Sequence, residues 1–219
     1  MTPAEALREK LAVSAFADDL FGENCYLIRR RDTKAALAVD PGLQVDRVLH
    51  HIRQERLTVE RILVTHGHID HVGGVPALQE ETGAPIAMHA DDLAILDWGR
   101  FEGLSFVPSG FVPFSIDTPL AHDTTLAFAD LSLRVLHTPG HTQGSVCFVL
   151  GLDCFAGDTL FQRGIGRTDL PGGDMPKIVL SIRNVLYRLP PKTVVYPGHG
   201  PGTTVEEEML LNPFVPADR

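Results

Sequence analysis

RILVTHGHIDHVGG, residues 61–74, is the stretch whose reading decides this chain. The apolar run RILVT has the length and composition of a buried strand, and glycine and polar residues end it at once. HGHIDH then places His66, His68, Asp70 and His71 within six residues. Neutral imidazole nitrogen and carboxylate oxygen are the usual ligands of zinc, iron and manganese. His66 and His68 are two residues apart, so in extended backbone they project to the same side. Asp70 and His71 come where the chain turns toward a helix and can face a second ion.

Further along, His141 stands in TPGHT, Asp158 in AGDTLF and His199 in PGHG, spaced 75, 17 and 41 residues apart counting from His66. Each is flanked by glycine, which lets the backbone turn tightly. One site of three or four ligands cannot absorb all seven residues. Two divalent ions roughly 3.5–4 Å apart, sharing a carboxylate or water, can do so. A histidine taken singly reads as a surface residue, and that is the reading of His50, His51, His89, His122 and His137.

The surrounding pattern is one of strands and helices. LAVSAF, NCYLIRR and AALAVD read as strands and residues 44–56 as a helix with Val45, Val48, Leu49 and Ile52 on one face. Residues 75–82 read as a helix and PIAMH as a strand. TTLAF, LSLRVLH, SVCFVL and DCFAG form a second strand group. Residues 174–189 read as a helix, VVYP as a strand, and 203–211 as a terminal helix opened by Thr203 or Thr204. Strand clusters in each half point to an α/β fold of two sheets packed face to face with helices outside. The polar candidates follow separate strands, so they can meet at one edge of the sandwich.

Composition narrows the function. A chain of 219 residues can bury one full core, and a formal charge of −9 argues against nucleic acid or an anionic membrane as partner. No apolar run approaches the roughly 20 residues needed to span a bilayer. The N-terminal MTPAEALREKLAVSAF lacks the continuous apolar core of a secretory signal. Cys25, Cys147 and Cys154 form no C-x-x-C pair and read as free thiols, which favours a reducing, cytoplasmic setting.

T-H-x-H-x-D-H followed in order by G-H-T, G-D-T and G-H-G resembles the metallo-β-lactamase superfamily. The likeness runs from NCYLI and AVDPG to LNPF near the C-terminus. Within it the chain resembles most the single-domain proteins related to glyoxalase II, the hydroxyacylglutathione hydrolases. The resemblance implies an αββα sandwich of two mixed β-sheets flanked by helices, with metals at one edge. It assigns His66, His68 and His141 to one metal and Asp70, His71 and His199 to another, with Asp158 bridging. The implied cofactor is two divalent ions per chain, zinc favoured and iron or manganese accommodated.

The chemistry implied is hydrolysis. Water between two divalent ions loses a proton near neutral pH, and the resulting hydroxide attacks a carbonyl while Asp70 and Asp158 hold it in place. No G-x-S-x-G elbow offers a serine nucleophile. Asp40, in AVDPG, either orients the ligand loop from behind or is a turn aspartate. Arg167, in GIGRTDLPGGD, either binds an anionic group of the substrate or pairs with Asp169. The aromatic segment 98–114 offers a substrate wall, a lid or a surface for a homo-oligomer.

The expected substrate is a small thioester such as S-lactoylglutathione. The helical extension that two-domain glyoxalase II proteins use for glutathione would follow His199, where 20 residues remain, so a single domain over 1–219 is expected. Arg167, Thr168 and Asp169 also stand where those proteins tend to carry a lysine and a tyrosine for glutathione. The alternative is a persulfide dioxygenase with one iron held by His66, His141 and Asp158, which RGIGRTD and TVEEE resemble. A purely structural metal module fits worst, because such sites are closed and four-coordinate.

Overall fold

Period-two apolar runs become strands, and wider apolar stripes become helices. The structure, a computed structural model, describes residues 2–96 and 114–216. Its elements run α1 (Pro3–Glu9), β1 (Leu11–Ala17), β2 (Asn24–Arg30), β3 (Ala35–Val39), α2 (Asp46–Glu55), β4 (Thr58–Leu63), α3 (Ile69–Val72), α4 (Val75–Thr82) and β5 (Ile86–His89). A 3-10 turn, Ala90–Asp92, closes that part. The second part runs β6 (Thr118–Leu120), β7 (Thr125–Phe128), β8 (Leu131–His137), β9 (Val146–Leu150), β10 (Asp153–Gly157), β11 (Leu160–Phe161), β12 (Gly164–Ile165), α5 (Met175–Asn184), β13 (Val194–Pro197), β14 (Thr203–Thr204) and α6 (Val205–Leu211).

Two six-stranded sheets form, ordered β1-β2-β3-β4-β5-β6 and β14-β13-β10-β9-β8-β7. Both are mixed. In the first, β1, β2 and β3 pair antiparallel while β3 to β6 pair parallel. In the second, β10 and β13 are parallel and the other neighbours antiparallel. Tyr26, Ile28, Leu37 and Val39 of one sheet pack between the sheets against Phe128, Val135, Phe148 and Phe155 of the other. The outer face of the first sheet packs on Val48, Leu49 and Ile52 of α2 and Leu78 of α4. The outer face of the second packs on Ile178 and Ile182 of α5 and Val205 of α6. The result is the expected αββα layering, with period-two alternation deciding which residues face each layer.

Two helix ends differ from the sequence reading. The helix expected over 174–189 ends at Asn184 and gives way to a 3-10 turn, Leu186–Arg188, ahead of Pro190 and Pro191. Its start is as read: Asp174 caps it by accepting from Lys177 N at 3.0 Å. The helix expected over 203–211 begins only at Val205. Thr203 and Thr204 pair as a strand with β13, and Thr204 then caps the helix through Glu207 N. β6, α1 and the short β11–β12 ribbon lie in stretches with no clear periodicity. The segment 98–114 lies outside the described residues apart from Phe114. No helix among the described residues is long and apolar enough to cross a membrane.

Phe148 is fully buried at the centre of the inter-sheet core. Phe148→Ala is expected to lower the unfolding free energy by about 3–5 kcal/mol in denaturant titration. Leu210→Ala, at a side chain 74% exposed, should change it by under about 0.5 kcal/mol.

Candidate metal centre

Parallel pairing brings the candidates together. Parallel strands end on the same edge of a sheet, and loops leaving those ends are the usual place for a binding site. Asp40 follows β3 and His66 follows β4, which are parallel neighbours. Asp158 follows β10 and His199 follows β13, also parallel neighbours. His141 lies in the loop from β8 to β9. A backbone bond from Val146 N to Thr65 O, 2.9 Å, ties the two sheets together at this edge.

The seven residues form two trios. His66 Nε2 lies 3.1 Å from His68 Nδ1 and 3.2 Å from His141 Nε2, and the last two are 2.9 Å apart. In the other trio, His199 Nε2 is 3.3 Å from both His71 Nε2 and Asp70 Oδ2, and His71 Nε2 is 3.6 Å from Asp70 Oδ2. Asp158 lies between them. Its Oδ1 is 3.4 Å from His71, and its Oδ2 is 3.5 Å from His141 and 3.6 Å from His199. A tetrahedral ion with metal–nitrogen bonds of 2.0–2.1 Å sets its ligands about 3.3 Å apart. The first trio is close to that spacing and slightly tighter.

The outer ring nitrogens decide which atoms point inward. His141 Nδ1 donates to the Arg167 carbonyl at 2.7 Å, and His199 Nδ1 to the Phe21 carbonyl at 3.2 Å. His71 Nδ1 donates to Asp40 Oδ2 at 3.0 Å. Thr65 Oγ1 gives its proton to Asp40 Oδ2 at 2.6 Å, so at 3.0 Å it accepts from His66 Nδ1. When neutral, a ring that donates through Nδ1 presents a lone pair at Nε2. Four imidazoles therefore aim Nε2 at the interior of the cluster.

Electrostatics agree with neutral rings at His66 and His68, and with shared protons at His71 and His199 where no cation is bound. Burial, with the neighbouring histidines, holds His66 well below the usual imidazole range, and burial beside His141 lowers His68 to about 4. Both rings are thus neutral at pH 7. Burial opposes charge on His71, but Asp158 and Asp40 raise it well above the usual range; His199 is raised against burial by Asp70 and Asp158. Asp158 and Asp70 are held low despite burial, Asp158 chiefly by His71 and Asp70 by its bond to His199. Asp158 Oδ1 is nonetheless a buried carboxylate oxygen with no hydrogen-bond partner among the described residues. Converging lone pairs and an orphaned carboxylate oxygen are what a bound cation satisfies, so these residues fit divalent metal.

Asp40 is more than a turn aspartate. It is buried, adopts the left-handed φ of 49°, and accepts from Thr65 N, Thr65 Oγ1 and His71 Nδ1. Arg167 lies nearby, but its exposed guanidinium pairs with Asp169 at 2.7 Å while its carbonyl orients His141. Of the five histidines read as surface residues, His50 and His122 are exposed. His51 meets the edge of Phe16 at 5.3 Å. His89 and His137 depart from that reading: they are half-buried and stack face to face at 4.3 Å. Sequence reasoning missed Asn24 and Tyr26, which bond to the Pro197 and Gly200 carbonyls beside His199. Both sit in an ordinary strand pattern that carries no signal of that role.

The model of the metallo-β-lactamase superfamily matches residues 18–199. The chain belongs to that superfamily. Members bind metal ions, and His66/His68/His141 and Asp70/His71/His199 are two of the side-chain groups among the described residues that could hold one. Hydroxyacylglutathione hydrolase GloC of Haemophilus influenzae is 36% identical over 210 residues, spanning 89% of this chain and 93% of its own. A solved structure of TTHA1623 in a di-iron-bound form is 36% identical with a TM-score of 0.80, covering 92% of this chain and 100% of that one. The structure of ETHE1 from Myxococcus xanthus is 32% identical with a TM-score of 0.78, covering 92% and 83%.

Gly198 precedes His199 and leaves room for Asp158: a Cβ there would overlap Asp158 Oδ1 and sit 2.7 Å from the His71 ring. Gly198→Ala should fold but bind divalent metal at least about tenfold more weakly, the scale seen when groups behind metal ligands are disturbed. Competition with a fluorescent chelator measures this.

Proposed function

We propose that this metallo-β-lactamase-fold protein is a dinuclear thioesterase that cleaves a small acyl-thiol such as S-lactoylglutathione. The observation that carries the reading is the position of Asp158, one oxygen toward His71 and the other between His141 and His199. A carboxylate so placed suits two ions better than one. His66, His68 and His141 would hold the first, and Asp70, His71 and His199 the second, with zinc favoured and iron or manganese accepted by the same donors. Bound ions would supply Lewis acidity toward the thioester carbonyl and lower the pKa of water to about 7. Asp70 and Asp158, both kept ionised, orient the attacking water by accepting its hydrogen bonds. Arg167 would exchange Asp169 for an anionic group of the substrate at the rim. The similarity to GloC supports the acyl-thiol choice.

A second reading, a mononuclear iron persulfide dioxygenase using His66, His141 and Asp158, rests on the resemblance of RGIGRTD to that group and on the likeness to ETHE1. Metal analysis of purified protein separates the two. Close to two ions per chain, with free thiol released from S-lactoylglutathione, is the expected result. One iron per chain with oxygen uptake on glutathione persulfide would overturn it. In the dinuclear enzyme, His199→Ala should cut kcat by about 100-fold; near-normal turnover would mean that the second trio is dispensable.

A further inference from the structure

Asp92 ends the 3-10 turn that follows β5, in a stretch (HADDL) without any motif. It is 1% exposed, and its carboxylate's hydrogen bonds among the described residues come from the two loops that carry the first trio. Oδ2 accepts from Gly67 N at 2.9 Å and from Thr142 Oγ1 at 2.8 Å. Oδ1 accepts from Gly144 N at 2.6 Å. Gly67 is the residue between His66 and His68, and Thr142 is the residue after His141. The first loop leaves one sheet and the second belongs to the other, so one buried carboxylate spans the gap between the sheets behind the three imidazoles.

The packing is built around that approach. A Cβ on Gly144 would lie 2.7 Å from the Asp92 carboxylate, and one on Gly67 would lie 3.2 Å from the Asp92 carbonyl oxygen. At Gly144 glycine is what admits Asp92, whereas at Gly67 the Ile95 and Met88 side chains come nearer still, at 2.9 and 3.1 Å. Burial raises the Asp92 pKa, and the three donors oppose it; all three bonds require an accepting oxygen. Asp40 plays a corresponding part elsewhere, holding Thr65 and His71. Asp92 has no hydrogen bond to any of the seven cluster side chains.

We propose that Asp92 is a positioning residue for the first trio, a carboxylate clamp that sets the separation of the His66–His68 loop from the His141 loop. It acts through backbone and Thr142, and it shares no partner with Asp40, which holds Thr65 behind His66 and His71 directly. The proposal rests on the reading of the trios as metal sites.

Asp92→Asn keeps the volume but turns one acceptor into a donor facing donors. Co2+ titration of metal-stripped protein, followed by absorption spectrum and stoichiometry, tests it against His68→Ala and His199→Ala as markers of each trio. The expected result is that Asp92→Asn weakens one Co2+ by about 10- to 100-fold and gives the spectrum of His68→Ala, with the other ion held as before. Thr142→Val, which removes one donor and leaves Asp92 in place, should shift the same ion less, and it keeps the test open if Asp92→Asn does not fold. Wild-type Co2+ affinity and spectrum in both folded variants would overturn the proposal. So would equal weakening of both ions with a lower melting temperature of the metal-free protein, the mark of a general structural role. If wild-type protein itself binds no Co2+, the metal reading has failed instead, which the same titration reports first.

Discussion

Four imidazoles aim Nε2 atoms into one buried cluster that also holds two carboxylates, and this crowding of polar atoms governs the rest of the molecule. In water such an arrangement would dissolve into separate hydrated groups. Buried, it persists only if every outer nitrogen has an acceptor and the inner atoms share a cation or protons. The acceptors come from Thr65, Asp40 and the carbonyls of Phe21 and Arg167. These belong to separate loops, so the cluster closes only when both sheets are docked in register.

The scaffold meets that demand with rigid strand ends. Parallel neighbours in each sheet deliver Asp40 and His66 on one side and Asp158 and His199 on the other. The close-packed layer of Phe128, Phe148 and Phe155 between the sheets keeps their separation constant. Conformational costs are accepted at the edge: Asp40 holds a left-handed backbone, and Gly198 tolerates the approach of Asp158 because it has no side chain. Three buried carboxylate oxygens lack a hydrogen-bond partner among the described residues, Asp158 Oδ1, Glu23 Oε1 and Asp18 Oδ2, and the first two lie 3.4 and 3.9 Å from His71.

Much of this was legible residue by residue. HGHIDH, GHT, GDT and GHG named all seven cluster members, and strand runs such as LSLRVLH and DCFAG lie within a residue or so of the observed strands. Local signals misled where tertiary pairing overrode them. Thr204 caps the last helix as read, but it and Thr203 also add a strand to β13, and the apolar stripe past Asn184 tightens into a 3-10 turn before two prolines. His89 and His137 read alike with His50 as surface residues, because stacking between residues 48 positions apart leaves no local trace. Arg167 offered two roles, and the ion pair to Asp169 accounts for its side chain in this structure.

The sequence by itself determined the donor set and the layered α/β class, since ligand chemistry is a property of residue type and layering follows from the period of apolar residues. The division into two trios with Asp158 between them, which the sequence offered only through the family resemblance, was decided physically by the tertiary structure. That division depends on which strands run parallel, and so on which loops share an edge. It also decided which nitrogen of each ring faces inward, because the partner that fixes the tautomer is up to 178 residues away in the chain, as Phe21 is from His199. Hydrogen bonds of that kind are set by the docking of the sheets, which no local pattern encodes.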